Sequence, residues 1–132
     1  MIVDTSVWID FFNGHLSSQA KRLTQAIEDN EPIGVPGLVL TEILLGLQSD
    51  AQAQRIAQLL ETFTDVLQPN RADHIAAATL YRRCRAKGVT IRSTIDCVIA
   101  QLCLRDGQAL LAKDRDFERM AEITDLKLVK ID

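Results

Sequence analysis

The chain has 132 residues, 47% of them hydrophobic and 25% charged, enough for one compact domain with a core and too short for two domains of usual size. Its net charge of −3 excludes the basic profile of proteins that bind nucleic acid over their whole surface, while leaving room for a local basic patch. Three cysteines, Cys84, Cys97 and Cys103, are odd in number and lack C-x-x-C spacing, which argues against a disulfide framework or a thiolate zinc site.

From the N-terminus onward, short apolar runs alternate with longer helical patterns, which favours an α/β fold. The predicted strands are Ile2-Val3, Ile33-Gly34-Val35, Asp65-Val66-Leu67, Ala109-Leu110-Leu111 and Leu128–Ile131, mostly apolar as strands covered on both faces should be. The predicted helices are Ser6–Asn13, Ser17–Glu28, Gly37–Leu47, Ala51–Thr62, Ala72–Lys87, Thr94–Arg105 and Arg115–Ile123. Gly88 and Gly107 follow basic last turns at Lys87 and Arg105, a common way for a helix to end. Parallel strands need crossovers, and right-handed crossovers put helices on both faces, so the expected architecture is a three-layer α/β/α sandwich around a small parallel sheet. No linker or internal repeat divides the chain, so a single domain over residues 1–132 is expected. No basic leader precedes a cleavable apolar core, and no run approaches the roughly 18 apolar residues of a membrane span, so the expected location is the cytoplasm, with no membrane partner.

Four carboxylates stand out, and each has an ordinary reading beside a functional one. Asp4 ends the first strand before Thr5 and Ser6, and Asp114 follows the fourth strand; either can be a helix N-cap. Asp116 then falls in a first helical turn, where the helix dipole favours it. Asp96 lies three residues after Ser93, at capping-box spacing, with Arg92 close enough to pair with it. Glu42 sits in the apolar segment GLVLTEILLGL, where no neighbour at helical spacing can pair with it, so that position turns to solvent or meets something positive.

Topology alters those readings. In a parallel sheet with helical crossovers, strand ends and the starts of the following helices share one edge, where open α/β proteins keep their ligands. Carboxylates gathered there repel by about 4 kcal/mol for a pair 4 Å apart at an effective dielectric near 20, and helix N-termini offset only part of that. A divalent cation resolves the conflict. With no histidine or thiolate in the set, hard oxygens suit Mg²⁺ or Mn²⁺ rather than zinc, and such an ion suits phosphoryl chemistry.

The order of motifs, Asp4-Thr-Ser after a strand, Glu42 in an apolar helix, Asp96 in I-D-C-V-I-A and Asp114 in K-D-R-D-F, resembles PIN-domain ribonucleases, most closely the VapC-type toxins of bacterial toxin–antitoxin pairs. The resemblance runs from Met1 to the last strand. It implies a PIN-like fold and an acidic quartet of Asp4, Glu42, Asp96 and Asp114, with Asp4, Asp96 and Asp114 as ligands of Mg²⁺ or Mn²⁺. Ser6 would support the site, and Asp116 would be a further acidic residue at its rim. The implied chemistry is hydrolysis of RNA by a metal-activated water. The implied partners are an RNA substrate, a VapB-like antitoxin that covers the active site and links the toxin to DNA, and a second toxin copy, with larger toxin–antitoxin assemblies beyond that.

Positive charge for such a substrate lies between Tyr81 and Ile95, which holds Arg82, Arg83, Arg85, Lys87 and Arg92 and no acidic residue. Arg92, just before the helix that carries Asp96, is the candidate for holding an RNA phosphate bidentately. The other four read as a solvated helix end. His15 and His74 have no Ser or Cys nucleophile beside them, so a histidine-based mechanism finds no support. Trp8, Phe11 and Phe12 read as packing groups. Two other classes compete with a nuclease. One is a non-catalytic module whose acidic pocket receives a basic partner segment. The other is a phosphoacceptor receiver-like domain, disfavoured because Thr5 and Ser6, rather than a second acid, follow Asp4.

Overall fold

Short apolar strands and capped amphipathic helices form in nearly the places their sequence patterns indicate. The computed structural model describes residues 1–65 and 68–131. In chain order the elements are β1 (Ile2–Val3), α1 (Thr5–Asn13), α2 (Ser18–Glu28), β2 (Gly34–Val35), α3 (Gly37–Leu45), α4 (Asp50–Leu60), β3 (Thr64–Asp65), α5 (Arg71–Ala86), α6 (Thr94–Asp106), β4 (Leu110–Leu111) and α7 (Arg115–Ile123). All strand pairs are parallel, in the order β3-β2-β1-β4, with Ile2 opposite both Gly34 and Leu110. The third strand starts at Thr64, one residue before the predicted one, and Val66 and Leu67 lie outside the described residues. The predicted last strand reduces to one parallel bridge, Leu128 with Leu110, with backbone bonds from Leu110 N to Lys127 O and from Val129 N to Leu110 O, each 2.9 Å.

The crossovers step outward from β1 in one direction through α1 to α4, then return across the sheet through α5 and α6. Right-handed connections running in opposite directions lay helices on opposite faces. Packing agrees: α1 touches α2 and α3, α3 touches α4, and α5 touches α6 and α7. This is the expected α/β/α sandwich. Its core gathers Ile2, Val3, Val7, Trp8, Ile99, Leu110, Leu111, Phe117 and Met120, all at most 1% exposed. Trp8 stacks on Phe12 at 5.8 Å between centroids and meets Phe11 and Phe63 edge-on, so the aromatic triplet packs as expected. Cys84, Cys97 and Cys103 are buried and free. Among the described residues, no helix is long and apolar enough to cross a membrane.

α5 and α6 run antiparallel. At one end Asp73, in the first turn of α5, meets the last turn of α6; at the other, the end of α5 lies beside the start of α6. That arrangement carries the start of α6 to the C-terminal edge of the sheet, next to the residues that follow β1 and β4.

Candidate active site

Asp4 takes the first position on this edge. It follows β1 directly, and its backbone N–H donates to Leu111 O at 2.9 Å, so β4 fixes its place. Asp4 is the N-cap residue of α1 by backbone conformation, yet its carboxylate makes no capping hydrogen bond. It is 6% exposed and accepts instead from the Ser6 hydroxyl at 3.0 Å. Burial pushes the Asp4 carboxyl above its ordinary range, and the Ser6 bond opposes that only in part. The Thr5 hydroxyl, between them, donates to Glu42 Oε1 at 2.9 Å. Glu42, half-buried on α3, thus meets a neutral donor rather than a cation.

Asp96 occupies the third helical position of α6, and the capping box its spacing suggests does not form: Ser93 is the N-cap by conformation, with no side-chain bond. The Asp96 carboxyl is raised to about 7, first by burial, then by the charges of Asp4, Asp114, Glu42 and Asp116 in that order. Every other acid proposed for the site therefore acts on this one group. A carboxylate crowded by four others near a helix N-terminus has the electrostatics of a cation site.

Asp114 is the N-cap of α7, accepting from Asp116 N at 2.8 Å. Asp116 is 1% exposed, which corrects its expected position at the rim: it is buried on the face of α7 that also buries Phe117 and Met120. Its Oδ2 accepts from Arg92 N at 3.0 Å and Arg92 Nε at 3.4 Å. Its Oδ1 accepts no hydrogen bond and has only the Arg119 guanidinium at 3.6 Å. A buried carboxylate oxygen without a donor costs on the order of 1–3 kcal/mol, more when charged, unless something positive arrives. Arg92 also reaches Asp114 Oδ1 at 3.1 Å, so its expected pairing with Asp96 is replaced by pairing with the two acids of α7; its side chain remains 74% exposed.

One oxygen each from Asp96, Asp114 and Asp116 lies within 4.8 Å of the others. Asp4 stands outside that trio, although it is the strongest charged influence on Asp96. The donor set is all carboxylate oxygen, and one member is an unsatisfied buried atom, so the residues fit a hard divalent cation. Two contributors escape sequence reasoning. Thr5 is one, and the hydroxyl directly behind Asp4 was its only signal. The other is Lys113, whose Nζ meets the buried Asp10 at 2.5 Å and so ties the segment before Asp114 to α1, across 103 positions that no local pattern connects.

Residues 1–123 match the family model for the PIN domain. The chain is 31% identical over 128 residues to VapC ribonuclease Mb1587 of Mycobacterium bovis and to ribonuclease VapC11 of Mycobacterium tuberculosis, each alignment covering 96% of both chains. In fold it is similar to a chain of VapBC2 from Rickettsia felis, solved with a DNA fragment from its promoter, at a TM-score of 0.76 and 21% identity, covering 99% of this chain and 98% of the other. A chain of VapBC-1 from nontypeable Haemophilus influenzae matches at 0.73 and 22% identity, covering 97% and 95%. The carboxylates on the sheet edge, the parallel strand order and these likenesses agree: the chain belongs to the PIN-domain family, among its VapC-type members.

Proposed function

We propose that this chain is a metal-dependent endoribonuclease acting as the toxin of a toxin–antitoxin pair. The observation that carries the reading is the convergence of Asp4, Glu42, Asp96, Asp114 and Asp116 on one sheet edge, with Asp96 pushed to about 7 by burial and by the other four. RNA is the substrate class because the similar mycobacterial proteins are named ribonucleases. Asp96, Asp114 and Asp116, with Asp4 beside them, hold Mg²⁺ or Mn²⁺. Such an ion supplies an acidified water and stabilises charge building on a phosphate. The chain's own groups do the positioning: Ser6 turns Asp4, Thr5 turns Glu42, and Asp114 caps α7 and so sets Asp116. Arg92, exposed and anchored through its backbone to Asp116, stands ready to leave Asp114 for an RNA phosphate. The partner is a VapB-like antitoxin, a reading supported by the likeness to VapBC2 of Rickettsia felis, solved with promoter DNA; DNA is reached only through that antitoxin, and the toxin pairs as a homodimer.

RNA incubated with the purified chain and Mg²⁺ or Mn²⁺ is expected to be cut, chelation is expected to stop the cutting, and expression without antitoxin is expected to arrest growth. Absence of cleavage with either ion, together with metal binding and host growth unchanged by Asp4→Asn, overturns the proposal. A second reading, an acidic pocket that only receives a basic segment, draws on Arg92 already lying against Asp114 and Asp116. It requires partner binding that survives chelation and expression that leaves growth unchanged.

A further inference from the structure

We propose that the groove between α5 and the start of α6 is the track on which a single-stranded stretch of RNA lies as it enters the acidic edge. The occupant rests on the ribonuclease reading above; the track rests on the shape and charge of the groove. Its volume is about 510 Å³, within the range of sites that enclose a small ligand and roomy enough for a nucleotide. Ala78 and Arg82, and likewise Tyr81 and Arg85, stand one turn apart on α5 and line the groove with Thr94 and Val98 of α6. Small alanines open the middle of the groove. Thr94 is the first residue of α6 and Asp96 the third, so the groove reaches the same sheet edge as the carboxylate cluster, the two lying on different sides of the helix start.

The charge on its wall selects the occupant. Of the cations between Tyr81 and Ile95, Arg83 turns away to donate to Ile123 O at 3.2 Å, and Arg92 is tied to Asp114 and Asp116. Arg82 and Arg85 line the groove, exposed and without an ion pair among the described residues. Among the described residues Arg82 hydrogen-bonds only to Thr79 Oγ1, at a long 3.4 Å, and the Arg85 guanidinium lies over the Tyr81 ring, 5.8 Å from its centre. The Arg85 guanidinium laid over the Tyr81 ring offers a flat face on which a base stacks, and its charge with that of Arg82 suits successive phosphates. A second copy of this chain fits the groove poorly, because a two-fold contact there gathers four guanidinium groups, Arg82 and Arg85 of each copy, in one seam.

The test is binding of a fluorescent oligouridylate to the full chain carrying Asp96→Asn, read by anisotropy without metal over a range of salt. Arg82→Gln with Arg85→Gln is expected to weaken binding about tenfold or more, and to flatten the log Kd against log salt slope by about 1.4, two contacts at about 0.7 each for a single strand. Tyr81→Leu, which keeps the apolar packing, is expected to weaken it about fivefold or more with no change in slope. Lys87→Gln, on the same helix end outside the groove, is expected to leave affinity within about twofold, which separates local contact from general charge. Unchanged affinity and slope in the arginine double variant overturn the proposal. So does a double variant whose sedimentation changes while its RNA affinity does not, because the groove is then a contact between copies. Wild-type protein that binds the strand through the groove yet cuts no RNA removes the nuclease reading and leaves the groove. Protein that cuts RNA but ignores these substitutions does the reverse.

Discussion

Asp73 and Asp96 hold the same position, the third of a helix whose N-cap is a small polar residue, on two helices packed against each other. Their surroundings differ in every respect that matters. Asp73 completes a capping box with Asn70, at 2.9 and 3.0 Å, and accepts from Arg105 Nη1 at 2.7 Å and from Gln101 Nε2 at 3.3 Å. Those bonds, the Asn70 backbone first, hold its carboxyl below the usual range. Asp96 lacks the capping box and its charged neighbours are acids, so its carboxyl rises to about 7. One aspartate is satisfied by the chain itself; the other is left for something the chain does not contain. Sequence position alone does not separate a structural acid from a functional one, whereas the sign of its neighbours does.

Substitutions break this contrast in a definite order. Asp96→Asn is expected to lower RNA cleavage by about 10²- to 10³-fold, the scale of removing one preorganised electrostatic group. At pH 8 without metal the same variant should melt at a higher temperature than wild type, because it removes repulsion. Asp73→Ala is expected to do the opposite: a clear drop in melting temperature, from the loss of the capping box and the Arg105 pair, with cleavage below the transition near wild type. Thr5→Val is expected to reduce cleavage about tenfold with little change in melting, since it releases only the orientation of Glu42.

The pH dependence is the sharpest test of the comparison. Asp96 titrates near 7 in the folded chain against 3.8 as its ordinary value, so the unfolded chain ionises first as pH rises. Its contribution to stability is complete below about pH 4 and is lost progressively up to about pH 7. Asp73, shifted down, contributes above its ordinary pKa and loses that as pH falls through its lowered folded value. Melting of the metal-free protein across pH 4 to 8 should therefore show the advantage of Asp96→Asn over wild type growing with pH until about 7 and then levelling off. A constant gap between the two would mean that Asp96 is not raised. Metal affinity should climb over the same range, because ligation requires the ionised form.

The helices and strands were legible because capping residues, apolar periodicity and glycine ends are written locally; α7 runs over Arg115–Ile123, as its pattern predicts. The gathering of Asp4, Glu42, Asp96 and Asp114 was legible as well, through the rule that strand ends share an edge. Other features were not. The spacing of Ser93 and Asp96 matches a capping box, yet nearby carboxylates decide how Asp96 behaves, and they come from other parts of the chain. Asp116 reads as a surface acid in a first turn, until α7 packs and its buried face proves to include that residue. Arg92 is near Asp96 in sequence, but the fold brings two acids of α7 closer. The last strand shrank to one bridge because Leu128 has only the single partner Leu110 at the end of the sheet.

The position of β1 at the centre of the sheet also sets a timetable. Asp4 is made well before its neighbour β4 and the acids Asp114 and Asp116, and the Lys113–Asp10 bridge joins segments 103 positions apart. Contacts of such long sequence separation form late and close the longest loops. A growing chain therefore carries Asp4 through the synthesis of everything up to α7 without a completed cluster. A ribosome making this protein meets an assembled carboxylate edge only after α7 is out, so truncation anywhere before Asp114 should yield a chain that cannot arrest growth.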